Sequence, residues 1–150
     1  MKVDYFTIPE ITVSYKDRVK PSERFVVTTA ADVVKIFAVA FQDCMQHHEE
    51  VNVLYLNRGN RVLGISNVAK GGTHSTVVDV KIILQTALKV SASFLIISHN
   101  HPSGNLMPSQ QDLELTKTVK TGCELVGLKL LDHLIVNEET HYSFAEANQL

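Results

Sequence analysis

No stretch of the 150-residue chain approaches the ~18 consecutive apolar residues of a membrane-spanning helix. The opening MKVDYFTIPE carries charges and a proline where a signal peptide needs an apolar core. These absences lead us to expect a cytoplasmic protein with no membrane partner. Blocks of lysine or arginine are missing as well. With 14 Lys+Arg, 16 Asp+Glu and a formal net charge of −2, the diffuse attraction to phosphate backbones that drives nucleic-acid binding is not evident. No basic stripe interleaved with aromatics makes up for it, so a nucleic-acid partner stays open rather than indicated. Cysteine is scarce. Cys44 and Cys123 form no C-x-x-C pair and sit in apolar stretches, which reads as two small buried hydrophobes in a reducing compartment. There is no internal repeat and no low-complexity segment.

What is present fits one domain. A chain of this length with 45% hydrophobic and 20% charged residues has the size and composition of a single globular unit. Residues 1–24 mix the β-formers ITVSY with charges, Pro9 and Pro21, and predict an edge strand within a mobile N-terminal segment. The domain proper is expected over residues 25–150. Helical spacing of Val33, Val34, Ile36, Phe37, Val39, Ala40 and Phe41 predicts a core helix over Ala30 to Cys44, with Asp32 favourably placed in its first turn. Val51 to Leu56 and Val62 to Val68 are β-branched runs around Asn57-Arg58-Gly59-Asn60, a hairpin pattern. After a flexible Gly71-Gly72, Asp79 to Val90 returns to helical spacing. Phe94-Leu95-Ile96-Ile97 is short and continuously apolar, hence a buried central strand. A polar loop from His99 to Pro108 leads to a helix from Ser109 to Thr121, stopped by Gly122. Strands are expected over Glu124 to Val136 and His141 to Phe144. Helices alternating with strands around a buried sheet give an α/β sandwich.

The chemistry is concentrated in SHNHPSGNLMPSQQD, residues 98–112. In an extended chain, side chains two apart project to the same side, so His99 and His101 aim at one point while Asn100 faces away. Asp112 falls in the first turn of the next helix if Ser109 is its N-cap, where the helix dipole favours an ionised carboxylate. Two imidazoles and one carboxylate suit a zinc ion with an open fourth position for water, the arrangement of a catalytic rather than a structural site. One zinc per chain is the expected cofactor. Hydrolysis also needs a base within reach of that water. Glu50, opening the Val51 strand, is the candidate; Glu49 is the competing choice, pointing oppositely along the strand.

These residues also carry a resemblance. HNHPSG followed by PSQQD reproduces H-x-H-x7-S-x2-D and resembles the signature of the JAB/MPN (JAMM-motif) zinc metalloproteases. The wording HNHPSG is similar to their RadC-like branch. The likeness runs from about Glu50 to Ser143, through Leu56-Asn57, Gly72-Thr73, the following helix and Leu130-Leu131-Asp132-His133. It implies a three-layer α/β/α sandwich related to the cytidine deaminases, with a mixed central sheet. It also implies His99, His101 and Asp112 as zinc ligands, Glu50 as acid/base and Ser109 as a donor to the oxyanion, charge that develops only in the transition state. The implied substrate is a peptide or isopeptide, although the family traditionally bears the label of a DNA-repair protein; site chemistry is the better guide. Longer members carry an N-terminal helix-hairpin-helix region, the part best suited to touching DNA, which is not recognisable in this chain. Lys81 stands where the family usually shows arginine, so a contact there is expected to differ.

Plainer accounts compete at several positions. Ser109-x-x-Asp112 also fits a capping box. Asp132 and His133 read as a structural polar pair at a strand start, and His74 as a loop residue near the groove. Ser103 lacks the G-x-S-x-G surroundings of a nucleophile and reads as a turn serine. The H-x-E and P-C-x-x-C motifs of a zinc deaminase are absent. Two other classes of function stay open beside the hydrolase: a non-catalytic module binding a peptide or a nucleic-acid end around a structural metal, and a DNA-repair-associated factor. The sequence does not define an oligomeric state.

Overall fold

The computed structural model describes residues 11–71 and 77–150. After a 3-10 turn at Pro21–Glu23 come α1 (Ala30–Ala40), β1 (Glu50–Leu56), β2 (Val62–Lys70), α2 (Val80–Lys89), β3 (Phe94–Asn100), α3 (Gln110–Leu125), β4 (Lys129–Val136) and β5 (His141–Ser143). Five strands form one mixed sheet in the order β2-β1-β3-β4-β5. Among the described strands, β3 and β4 pair in parallel and the other neighbours antiparallel.

Strand β1 is buried along its whole length because it has a strand on each side and a helical layer on each face. Val51, Val53 and Tyr55 pack on one face with Ile83 and Ala87 of α2 and Val119 and Cys123 of α3. Leu54 and Leu56 turn to the other face, against Val33 and Phe37 of α1. This alternation, period 2 in the strand and about 3.6 in the helices, builds the three-layer sandwich. Both cysteines are free and buried, one in each core. No helix among the described residues is long and apolar enough to cross a membrane.

Several boundaries depart from the sequence pattern. The described part of the N-terminal segment, residues 11–20, contains no strand, and Ile11 and Val13 stand exposed. Among the described residues, a single bridge from Val26 to Arg61 is the isolated sheet-like pairing near it. Helix α1 ends at Ala40, and residues 41–47 continue as turns. Phe41 and Cys44 still reach the core from those turns, which is why the apolar spacing outruns the helix. Gly122 does not stop α3. The helix runs through it to Leu125, and a Cβ on Gly122 would lie 2.8 Å from Leu84 Cδ1 of α2. Close helix packing, not termination, therefore accounts for this glycine. The stop is Gly127, at φ +74°, with Leu128 N–H donating to Cys123 O and Gly127 N–H to Glu124 O, a Schellman arrangement. Glu124 and Leu125, expected in a strand, belong to this helix end. In the β1–β2 turn it is Asn60 that takes the positive φ of 55°, while the Asn57 side chain accepts from the N–H groups of Gly59 and Arg61.

Candidate metal centre

Strand β3 extends further than its apolar run and carries His99 to its end, directly opposite Ile135 of the parallel neighbour β4. The chain then turns through Gly104, at φ +78°, and returns as α3. Helix α3 starts with a reciprocal capping box: Ser109 Oγ accepts from Asp112 N–H, while Ser109 N–H and Oγ–H both donate to Asp112 Oδ2, each at 2.7 Å. That cap fixes the carboxylate and leaves Oδ1 pointing away from Ser109. His99 Nε2 lies 3.2 Å from Asp112 Oδ1 and 2.9 Å from His101 Nε2, and His101 Nε2 lies 3.8 Å from Asp112 Oδ2. One donor atom from each of the three falls within 4.8 Å of the other two.

Proton bookkeeping tests whether this set fits a cation. His101 Nδ1 faces the carbonyl oxygen of Asn105, which can only accept, so the ring proton sits on Nδ1 and Nε2 of the neutral ring is bare. His99 Nδ1 is engaged by His133 Nε2 at 2.9 Å, which leaves His99 Nε2 as its inward atom. Burial alone would raise the Asp112 carboxyl. Positive charge at the His99 Nε2 position, supplied by a proton or by a cation in its place, together with the Ser109 hydroxyl and N–H, outweighs it and holds the group well below the usual carboxylate range. Two imidazole nitrogens and an ionised carboxylate thus converge with their lone pairs on one point. A divalent cation answers that arrangement.

The trio lies in a cavity of about 560 Å³ that is also lined by Glu49, Val51 and Ser109. Val77, Val78, Val80 and Leu115 supply an apolar wall, and Gln111, Glu114 and Thr118 a polar one. His74 and Gly72 fall outside the described residues.

Glu50 is not among the residues of this cavity, and its expected place beside the trio must be corrected. Val51 is the Cα partner of His99, so the alternation of β1 sends Glu49 and Val51 to the face of the trio and Glu50 to the opposite face. There the Glu50 carboxylate is fully occupied: Oε1 accepts from His48 Nε2 at 2.7 Å and meets Lys70 Nζ at 3.4 Å, and Oε2 accepts from Asn67 Nδ2 at 2.6 Å. Cys44, His48 and Glu50 also bring donor atoms within 4.8 Å of one another. The Lys70 ammonium already supplies the positive charge at that carboxylate, so this group is an ion-paired brace.

Asn100, between the two histidines, is completely buried on that same opposite face. Its Nδ2 donates to the carbonyls of Cys44, Met45 and His48, and its Oδ1 accepts from Glu50 N–H at 2.8 Å. One side chain thereby ties the turn over residues 44–48 to β3, and so fixes where β1 begins, at Glu50. Asp132 and His133, paired in sequence, also part company. Asp132 accepts from the Ser143 hydroxyl and from the N–H groups of His133 and Ala145, bracing β4 to β5. His133 points to the other face and touches His99. Complete burial pushes its imidazole well below its ordinary range, so the ring is neutral. Glu49 was legible only as the second choice, and nothing in the sequence pattern singled out His133 or Thr116 as neighbours of the trio.

The fold and site define an α/β/α sandwich with a candidate metal trio at the carboxyl end of a central strand. Residues 27–150 match the family model of the RadC-like JAB domain, and the chain belongs to that family. A UPF0758 protein of Flavobacterium johnsoniae is 46% identical over 99 residues, covering 66% of this chain and 43% of that protein. A UPF0758 protein of Coprothermobacter proteolyticus is 40% identical over 121 residues, 79% of this chain and 52% of that one. One from Aquifex aeolicus is 43% identical over 105 residues, 70% and 46% respectively. The chain spans about half the length of the curated relatives it matches.

Proposed function

We propose that this chain is a zinc-dependent hydrolase of peptide or isopeptide bonds, with His99, His101 and Asp112 holding one ion and Glu49 serving as acid/base. The observation that carries the reading is the convergence of two imidazole nitrogens and a carboxylate in a cavity that Glu49 also lines. A zinc ion held there would supply Lewis acidity, bringing the pKa of a water down to about 7 and polarising a carbonyl.

Glu49 is half-buried and free of the partners that occupy Glu50, so its carboxylate is available to take a proton from the attacking water and return it to the leaving amine. The apolar wall of Val77, Val78, Val80 and Leu115 excludes water from one side and gives an extended substrate a surface to lie on. Ser109 commits its single hydroxyl proton to Asp112, which makes orientation of that carboxylate its resting duty. Its N–H holds the same oxygen, so the hydroxyl can rotate toward a developing oxyanion without releasing Asp112.

Elemental analysis of wild type beside Asp112→Ala tests the centre: about one zinc per chain is expected, lost in the variant. A screen of peptide and isopeptide libraries with the zinc-loaded protein tests the activity, with Glu49→Gln as the inactive control. A folded wild type that takes up no zinc overturns the reading. So does a zinc-loaded one that cleaves no peptide or isopeptide bond but cuts another class.

A further inference from the structure

Behind His99 runs a chain of three buried contacts with only three protons to serve them. Thr116 Oγ1 lies 2.6 Å from the carbonyl oxygen of Asp112 and 2.6 Å from His133 Nδ1, and His133 Nε2 lies 2.9 Å from His99 Nδ1. Contacts this short between electronegative atoms need a proton between them, unless, as between His99 Nε2 and His101 Nε2, a cation takes that place. A carbonyl has none to give, so the Thr116 hydroxyl donates its only proton to Asp112 O. His133 Nδ1 must then donate to Thr116. The His133 ring is completely buried and its two nitrogens face a hydroxyl and an imidazole, so it carries one proton and its Nε2 is bare. His99 Nδ1 must therefore donate to His133, and the lone pair of His99 Nε2 is left facing Asp112 and His101. Any other assignment of one proton to each group leaves at least one of the three contacts without a proton.

We infer that His133, with Thr116 behind it, is a positioning residue that presets the tautomer and ring angle of His99, so that Nε2 is presented as a ligand before an ion arrives. The inference rests on the zinc reading of His99, His101 and Asp112 above. The chain begins on the side chain of one of these residues and ends on the backbone of another, so it ties their positions together. His133 is itself held in place: its ring stacks on the buried Phe144, with centroids 4.7 Å apart and planes 9° from parallel. The sidedness of the chain is set by its carbonyl end, which cannot reverse. A His133 with its proton on Nε2 would force the His99 proton onto that residue's own Nε2 and abolish the ligand. Partners of this kind behind a ligating histidine contribute about 10–100-fold in metal affinity.

The test combines a side-chain nitrogen spectrum with zinc affinity measured by chelator competition, neither of which requires turnover. In zinc-loaded wild type, His133 is expected to show a protonated Nδ1 and a bare Nε2. His133→Leu is expected to bind zinc about 10–100-fold more weakly. His133→Gln can accept from His99 and donate to Thr116 through its amide, and is expected to keep affinity within about threefold of wild type, a rescue that filling space alone would not explain. Thr116→Val, which removes the carbonyl-anchored end, is expected to weaken zinc in the same direction. A protonated His133 Nε2 in wild type, or folded His133→Leu and Thr116→Val proteins with wild-type affinity, overturns the inference. If the leucine variant does not fold, the wild-type spectrum and Thr116→Val decide. Loss of zinc binding in wild type itself marks failure of the zinc reading, whereas failure confined to the spectrum and the variants falls on this inference alone.

Discussion

Val51 lies directly across the β1–β3 ladder from His99, and this one register decides which of two adjacent glutamates shares a cavity with the histidines. Glu49 stands two residues before Val51 on the same face. Glu49→Gln is therefore expected to lower kcat by about 10²–10⁴-fold while leaving zinc content unchanged. Glu50→Gln is expected to keep most of the activity. Steady-state kinetics with elemental analysis on both variants checks this, and the reverse pattern would return the acid/base role to Glu50.

Asn100 satisfies three carbonyls and one N–H from a fully buried position. Asn100→Leu removes every one of those bonds, and leaving a buried polar group unpaired costs about 1–3 kcal/mol. A loss of at least about 3 kcal/mol is expected in urea denaturation, since several groups are orphaned together. In whatever fraction folds, kcat should fall more than zinc affinity, because the freed turn carries Glu49 rather than the trio.

Asp32 caps α1 by accepting from the N–H groups of Thr28 and Thr29 and from the Thr28 hydroxyl. The Thr28 and Thr29 hydrogen bonds lower its carboxyl from 3.8 to about 2 in the folded protein. A depressed folded value means that the stabilisation is fully present above the unfolded pKa and is lost as pH falls through the folded one. Urea midpoints of wild type and Asp32→Asn are expected to differ at pH 5 and to converge between about pH 4 and pH 2. A gap that stays constant over that range would show that the charge of Asp32 does not contribute.

Gly122 sits inside α3, where replacement by alanine ordinarily gains about 1 kcal/mol of helix propensity. Contact with Leu84 at 2.8 Å opposes that gain. Gly122→Ala is expected to yield little or no increase in thermal midpoint, and Gly122→Val to destabilise by about 1–3 kcal/mol through overpacking. A clear stabilisation by alanine would mean that the Leu84 methyl swings aside at little cost.

The parts of this molecule that were legible in the sequence are those whose geometry is local. His99, His101 and Asp112 lie on one strand–loop–helix unit, so period-2 alternation and one helix cap bring them together without knowledge of the rest. The sandwich was legible because each buried element carries its own periodicity. The choice between Glu49 and Glu50 was not, because a shift of one residue in where β1 begins exchanges its faces, and that start is set by Asn100 from another strand. His133 was hidden for a related reason: the β3–β4 pairing slips between Leu95 and Ile96, where Leu130 and then Asp132 are the partners, so counting alternate residues along β4 does not predict its face. Gly122 and Gly127 look alike in sequence, yet one admits a neighbouring helix and the other ends its own.

The two oxygens of Asp112 have different engagements, one fastened to Ser109 and the other turned toward His99. The chain cannot begin α3 anywhere else without surrendering the third donor. Initiation of an ordinary helix is therefore also the assembly of the candidate centre, and the loop between His101 and Ser109 has two duties, to deliver that first turn intact and to set the Asn105 carbonyl against His101.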